Sequence, residues 1–155
     1  MSRREQIQMT PDEVSAFLAE QRVLICATSG RDGWPHLMPL WYVVRDGELW
    51  AWTYAKSQKV RNLERDDRAT AQIESGHEYR QLRGVMIKAH CRLHRDLETV
   101  AGVGAELANR YGGEEGAVGP EASQVFERQA AKRVALQFVA DSTASWDHRK
   151  LGGTY

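Results

Sequence analysis

Apolar and polar residues alternate most regularly between Gly84 and Arg95. Val85, Ile87, Ala89, Cys91 and Leu93 fall on one face, and Met86, Lys88, His90, Arg92 and His94 on the other. That period of two predicts a strand with one dry side and one wet side. Val23–Thr28, Ala69–Ile73 and Arg133–Ala140 read as further strands, and so do His36–Val44 and the run Leu49, Trp50, Ala51, Trp52. Asp46-Gly47 lies between the latter two and predicts a tight hairpin. Thr10-Pro-Asp-Glu13 is a capping box with proline at the first helical position, and Val14, Phe17 and Leu18 supply the apolar stripe of a helix ending near Gln21. Another helix starts after Ser57, a good N-cap, with Val60 and Leu63 spaced to bury one side. Leu97–Tyr111, interrupted by two glycines, and Ser123–Lys132 read as helices too. Met1–Gln8 reads as a polar, mobile lead, Ser75–Leu82 and Gly112–Pro120 as loops, and Ser142–Tyr155 as a tail rich in charge and aromatics.

Six strands at hairpin-like spacing, with helices around them, predict a mainly β antiparallel barrel instead of a doubly wound sheet. His36–Val44 is apolar on both sides of its alternation. Such a strand needs a cover outside the barrel, either a partner subunit or a flat ligand. Pro39 cannot donate a ladder bond, which predicts an edge or a bulge at that point. The 155 residues show no repeat and no linker, so one domain, residues 1–155, is expected.

Charge narrows the function. The 21 basic and 21 acidic residues cancel, which argues against a nucleic-acid partner. No apolar run is long enough to span a membrane and no signal peptide is visible, so no membrane partner and a cytoplasmic location are expected. Cys26 and Cys91 sit in apolar runs without CxxC spacing and read as buried free thiols. The five histidines show no HExxH spacing, and His90 and His94 read as solvated surface. There is no GxSxG, Walker or Rossmann pattern, and no metal centre or obligatory catalytic side chain is expected.

One local rule is broken. A helix N-terminus carries partial positive charge and free N–H groups, so acids belong there. Lys56, Lys59 and Arg61 surround the start of the helix after Ser57 instead. Those cations make sense around an anion, phosphate first of all, although a solvated basic helix start accounts for them as well. Beside aromatic strands, a phosphate site suits a phosphorylated flat heterocycle whose ring does the reaction itself.

Taken together, Gly33-Trp-Pro-His36, Trp52–Leu63, Leu82-Arg-Gly-Val85 and Ser145–Lys150 resemble the pyridoxamine 5′-phosphate oxidase-like split β-barrel proteins. The similarity runs from about Thr10 to Leu151 and is strongest to the flavin/deazaflavin oxidoreductase branch B, the coenzyme F420-dependent enzymes. The resemblance implies a six-stranded antiparallel split β-barrel of the FMN-binding type, forming a homodimer with the cofactor at the subunit interface. By position, His36, Leu37, Met38, Pro39 and Leu40 would lie along the ring, and Trp52 and Thr53 under the ribityl chain. Ser57, Gln58 and Lys59 would form the phosphate-binding turn, with Lys56 and Arg61 supporting it. Trp146 and Arg149 of the tail would reach the cofactor. Flavin-using oxidases commonly carry Arg-Lys where this chain has Gln58-Lys59. The implied activity is hydride transfer from reduced F420 to an electrophilic, conjugated small-molecule substrate, with His77 and Tyr79 as candidate proton donors. The alternatives are an FMN-dependent oxidase or reductase, a non-catalytic F420 carrier and, more distantly, a haem-handling split-barrel protein.

Overall fold

The computed structural model describes residues 2–112 and 127–152. Its seven strands are β1 (Val23–Ser29), β2 (Pro35–Trp41), β3 (Val43–Arg45), β4 (Glu48–Tyr54), β5 (Arg68–Ser75), β6 (Arg83–His94) and β7 (Arg133–Asp147). They form one antiparallel sheet in the order β2-β1-β5-β6-β7-β4-β3. β2 and β3 are therefore the two edges of the sheet, yet only Tyr42 separates them along the chain. Two Cα–Cα steps reach at most about 7 Å. The edges must meet, so the sheet curls into a barrel that is split between them.

The expected mainly β split barrel is thus present, with seven strands instead of six. The run His36–Val44 is two strands because Tyr42, fully buried, belongs to neither ladder. Its hydroxyl donates to the Leu18 carbonyl at 2.7 Å, and the Arg110 guanidinium lies 4.6 Å from its ring centre. Burial pushes the phenol up to about 12. Asp46 and Gly47, both at positive φ, make the expected hairpin, pairing Arg45 with Glu48.

The inward faces of the strands supply the core: Leu24, Cys26, Leu49, Ile73, Val85 and Phe138 are all buried. Helix α2 (Pro11–Glu20), capped at Thr10 as its sequence dictates, closes the barrel with Phe17 and Leu18. Both cysteines are free and buried, and burial raises the Cys26 thiol to about 11 and Cys91 higher still. Helix α4 (Leu97–Tyr111) lies outside the barrel, where Val100, Val103 and Leu107 pack with Trp50 and Trp52 of β4.

Both ends of the chain depart from expectation. Residues Arg3–Gln6 form a short helix, α1, closed by a reciprocal Ser2–Glu5 capping box. The Ile7 carbonyl after it accepts from the Asp147 N–H at 2.7 Å. The expected tail is a continuation of β7 to Asp147, in register with β6 through the pairs Gly84–Trp146 and Arg83–Asp147. Its polar residues gave no buried alternation, and cross-strand pairing with β6 carried the strand on regardless. Of the expected helix Ser123–Lys132, residues 127–130 are helical; the start of that helix, residues 113–120 of the expected loop and residues 153–155 lie outside the described residues.

Candidate functional site

Strand β4 passes into helix α3 (Gln58–Arg65) through a turn held at both ends. Ser57 N–H donates to the Tyr54 carbonyl, and Ala55 N–H to the Lys132 carbonyl, each at 3.0 Å. Ser57 has the extended backbone of an N-cap, but its hydroxyl does not cap: the buried Oγ has no hydrogen-bond partner. A serine in this position normally satisfies one of the free N–H groups. Here the hydroxyl and the first-turn N–H groups remain available together.

Lys59 is only 6% exposed. Its Nζ donates to Thr53 Oγ1 at 3.0 Å, and no carboxylate among the described residues pairs with it. Burial lowers its pKa, with the Cys26 thiol acting weakly the other way. A desolvated ammonium with a single hydroxyl partner is costly unless an anion joins it. Asn62, fully buried one turn on, donates to Thr28 Oγ1 at 3.0 Å and accepts from Gln58 Nε2 at 2.9 Å. Gln58 is therefore drawn back along its own helix.

Across the sheet, His36 of β2 pairs with Thr28 of β1, and its buried Nδ1 has no partner. His36, Gln58 and Asn62 line one groove of about 450 Å³ together with Asp32 and Trp34. An apolar groove of about 350 Å³ is formed by Val23, Pro39, Leu40, Trp41 and Trp52. Leu37, Met38 and Trp41 expose 56%, 41% and 58% of their surface, a wide apolar display for an edge strand. A larger groove of about 760 Å³, on the outer side of β1, β5 and β6, takes in no residue of β4, of the turn after it or of α3.

The sequence profile described as pyridoxamine 5′-phosphate oxidase matches residues 10–147. The chain belongs to the pyridoxamine 5′-phosphate oxidase family. A conserved hypothetical protein from Mycobacterium tuberculosis is 39% identical, with a TM-score of 0.90 over 100% of this chain and 95% of its own. A protein called F420 reductase is 18% identical, with a TM-score of 0.65 over 84% of this chain and 94% of its own. An FAD-binding protein from Mesorhizobium loti, also 18% identical, has a TM-score of 0.67 over 89% of this chain and 94% of its own. At such identity the last two share the fold. No curated protein matches the chain.

Within this pyridoxamine 5′-phosphate oxidase family chain, the expected site residues divide into groups. His36 and Gln58 meet in one groove, Pro39, Leu40 and Trp52 in the other, and Thr53, Ser57 and Lys59 in the turn. Lys56 and Arg61 are exposed, without ion pairs among the described residues. The remaining candidates line neither of these two grooves. The Trp146 ring lies over Gly84, where a β-carbon would come within 2.7 Å of it, and Arg149 grips the buried Asp147 carboxylate. Tyr79 packs on His148 at 4.5 Å, and His77 is exposed on the same loop. Within one chain, then, neither candidate proton donor joins the orphaned atoms.

Two participants escaped the sequence reading: Thr28 and Asn62. Asn62 left a trace, because it shares the buried face of α3 with Val60 and Leu63, where a polar side chain is out of place. No helix among the described residues is long and apolar enough to cross a membrane.

Proposed function

We propose that the protein is an oxidoreductase of the flavin/deazaflavin branch, that it uses coenzyme F420, and that it passes hydride to a conjugated electrophilic small molecule. The observation that carries this reading is the buried Lys59 ammonium, without a counter-ion, beside the orphaned hydroxyl of Ser57 at the start of α3. Both are donors, and a phosphate supplies acceptor oxygens for each. Ser57, Lys59 and the first-turn N–H groups would hold that phosphate, with Lys56 and Arg61 neutralising it from the solvent side. The apolar groove of Pro39, Leu40 and Trp52 suits the edge of a flat ring, and the unpartnered Nδ1 of His36 can hydrogen-bond a polar atom on it. When bound, the deazaflavin would supply hydride chemistry that no side chain here supplies. The protein's part is to bind, orient and exclude water.

Gln58 favours F420 over FMN. Its amide is drawn to Asn62, so the second cation common in flavin-using oxidases is missing from the turn, and F420 can make up the lost attraction with the extra carboxylates of its tail, which FMN lacks. Exposed Leu37, Met38 and Trp41 support a homodimer that covers β2 and the cofactor together.

Titration of apo-protein with oxidised F420 and with FMN, followed by the fluorescence of each, tests the choice. F420 is expected to bind more tightly; equal or tighter FMN binding would reverse the assignment. Binding of F420 without turnover across a panel of conjugated acceptors would identify a carrier.

A further inference from the structure

Arg133 opens β7 directly opposite Tyr54, at the strand end that leads into the Ser57 turn. Its guanidinium lies 4.3 Å from the ring centre of Trp52 and 4.3 Å from that of Tyr54. The buried Nε has no hydrogen-bond partner, and no carboxylate among the described residues pairs with the group. If packing were its only role, a methionine or leucine would fill this place without burying an unsatisfied N–H. Aromatic rings contact a guanidinium through its flat faces, whereas its hydrogen bonds leave along its edge. With Cζ 4.3 Å from both ring centres, the two rings hold the guanidinium in place, and its Nε–H is left without an acceptor. The group that matches such an edge is a carboxylate, taken by two parallel bonds. Trp52 also lines the apolar groove with Val23, Pro39, Leu40 and Trp41, so an occupant of that groove and an anion at Arg133 meet at one side chain.

We infer that Arg133, held by Trp52 and Tyr54, is a carboxylate subsite, and that the small molecule this protein accepts is an apolar, unsaturated acid. Naming that acid as the hydride acceptor rests on the function proposed above; the subsite itself does not.

The test uses the full chain and a direct binding readout. 2-Naphthoate and its uncharged amide are titrated against tryptophan fluorescence, with wild type, Arg133→Gln and Arg133→Lys. Wild type should prefer the acid by about tenfold or more, the size expected for a charge-assisted bond. Arg133→Gln should abolish that preference and Arg133→Lys restore part of it, with melting temperatures recorded to show that all three are folded. F420 is titrated against the same variants. Unchanged F420 affinity, with acid preference lost, supports the subsite as belonging to the acceptor. F420 affinity lost while the naphthoate preference persists would move the carboxylate to the cofactor and overturn the acceptor assignment. Equal binding of acid and amide by wild type would overturn the subsite whatever the cofactor result. Failure of F420 to bind wild type would sink the proposed function and leave the subsite standing on the naphthoate data.

Discussion

The indole of Trp52 lies against Gly104 so closely that a β-carbon at position 104 would come within 2.7 Å of its Cη2. In the sequence this glycine reads as a weakness in helix α4, and in the structure it is what lets the helix dock on β4. Gly104→Ala therefore gains helix propensity of about 1 kcal/mol and meets overpacking of about 1–3 kcal/mol. The ring is held by Arg133 and cannot swing away freely. A net loss is expected, read as a melting temperature lower by a few degrees. Gly102→Ala, which would meet only the end of the Arg45 side chain at 3.2 Å, should be neutral or stabilising. Equal effects from both substitutions would show that the indole contact is not limiting.

Ser57→Ala should leave stability within about 0.5 kcal/mol of wild type, because the hydroxyl makes no cap bond that could be lost. Cofactor affinity should fall several-fold. Chemical denaturation and the F420 titration separate the two effects. A stability loss of about 1 kcal/mol or more would make Ser57 an ordinary cap.

Lys59→Met keeps most of the apolar stem and removes the charge. In the complex a charge-assisted bond to phosphate contributes about 1.5–3 kcal/mol, so affinity should fall by roughly 10- to 150-fold. Without ligand, the variant should be as stable as wild type near neutral pH, since a desolvated ammonium disappears with the lost Thr53 bond. The pH dependence has a definite sign. Burial lowers the folded pKa of Lys59 below the unfolded value of about 10.4. Between the two the unfolded chain binds more protons, so wild type gains stability relative to Lys59→Met as pH rises through that window. Parallel stability curves for the two proteins would refute a lowered pKa.

Asp147 is 5% exposed and its pKa is lowered chiefly by the Arg149 guanidinium. The stability it contributes is therefore fully present above about pH 3.9, its unfolded value, and is lost as pH falls through the lower folded one. Asp147→Asn should cost about 1–3 kcal/mol at neutral pH and flatten the acid limb of the stability curve. Truncation after Ser145 should lower the melting temperature by several degrees. It removes two β6–β7 pairs, the Trp146 ring over Gly84 and the bond to Ile7. Unchanged melting would return these residues to the status of a loose tail.

Leu37→Asp places a charge on the exposed apolar strand β2. If β2 is covered by a second copy, scattering should report about twice 17.6 kDa for wild type and 17.6 kDa for the variant. The cofactor affinity of the variant should fall with the loss of the dimer. A wild-type protein that scatters as a monomer at micromolar concentration would remove the interface from the proposal.

Short-range rules settled most of the elements before any fold was known. The alternation of β6, the Thr10 capping box, the Asp46-Gly47 hairpin and the bounds of α4 are local, since each depends on residues within a turn or a strand of one another. The misplaced cations at the start of α3 were equally legible, because a violated dipole rule is a sequence-level fact. What remained hidden depended on contacts across long stretches of chain. Tyr42 divides a strand because Leu18 and Arg110 hold it, and β7 runs on to Asp147 because β6 pairs with it. Asn62 and Thr28 share one bond from 34 positions apart. Arg133 became a candidate only when the barrel brought it between Trp52 and Tyr54 with its Nε unsatisfied. Periodicity shows which face of an element is buried; only the closed barrel decides which polar atoms are buried along with it and which of them find no partner.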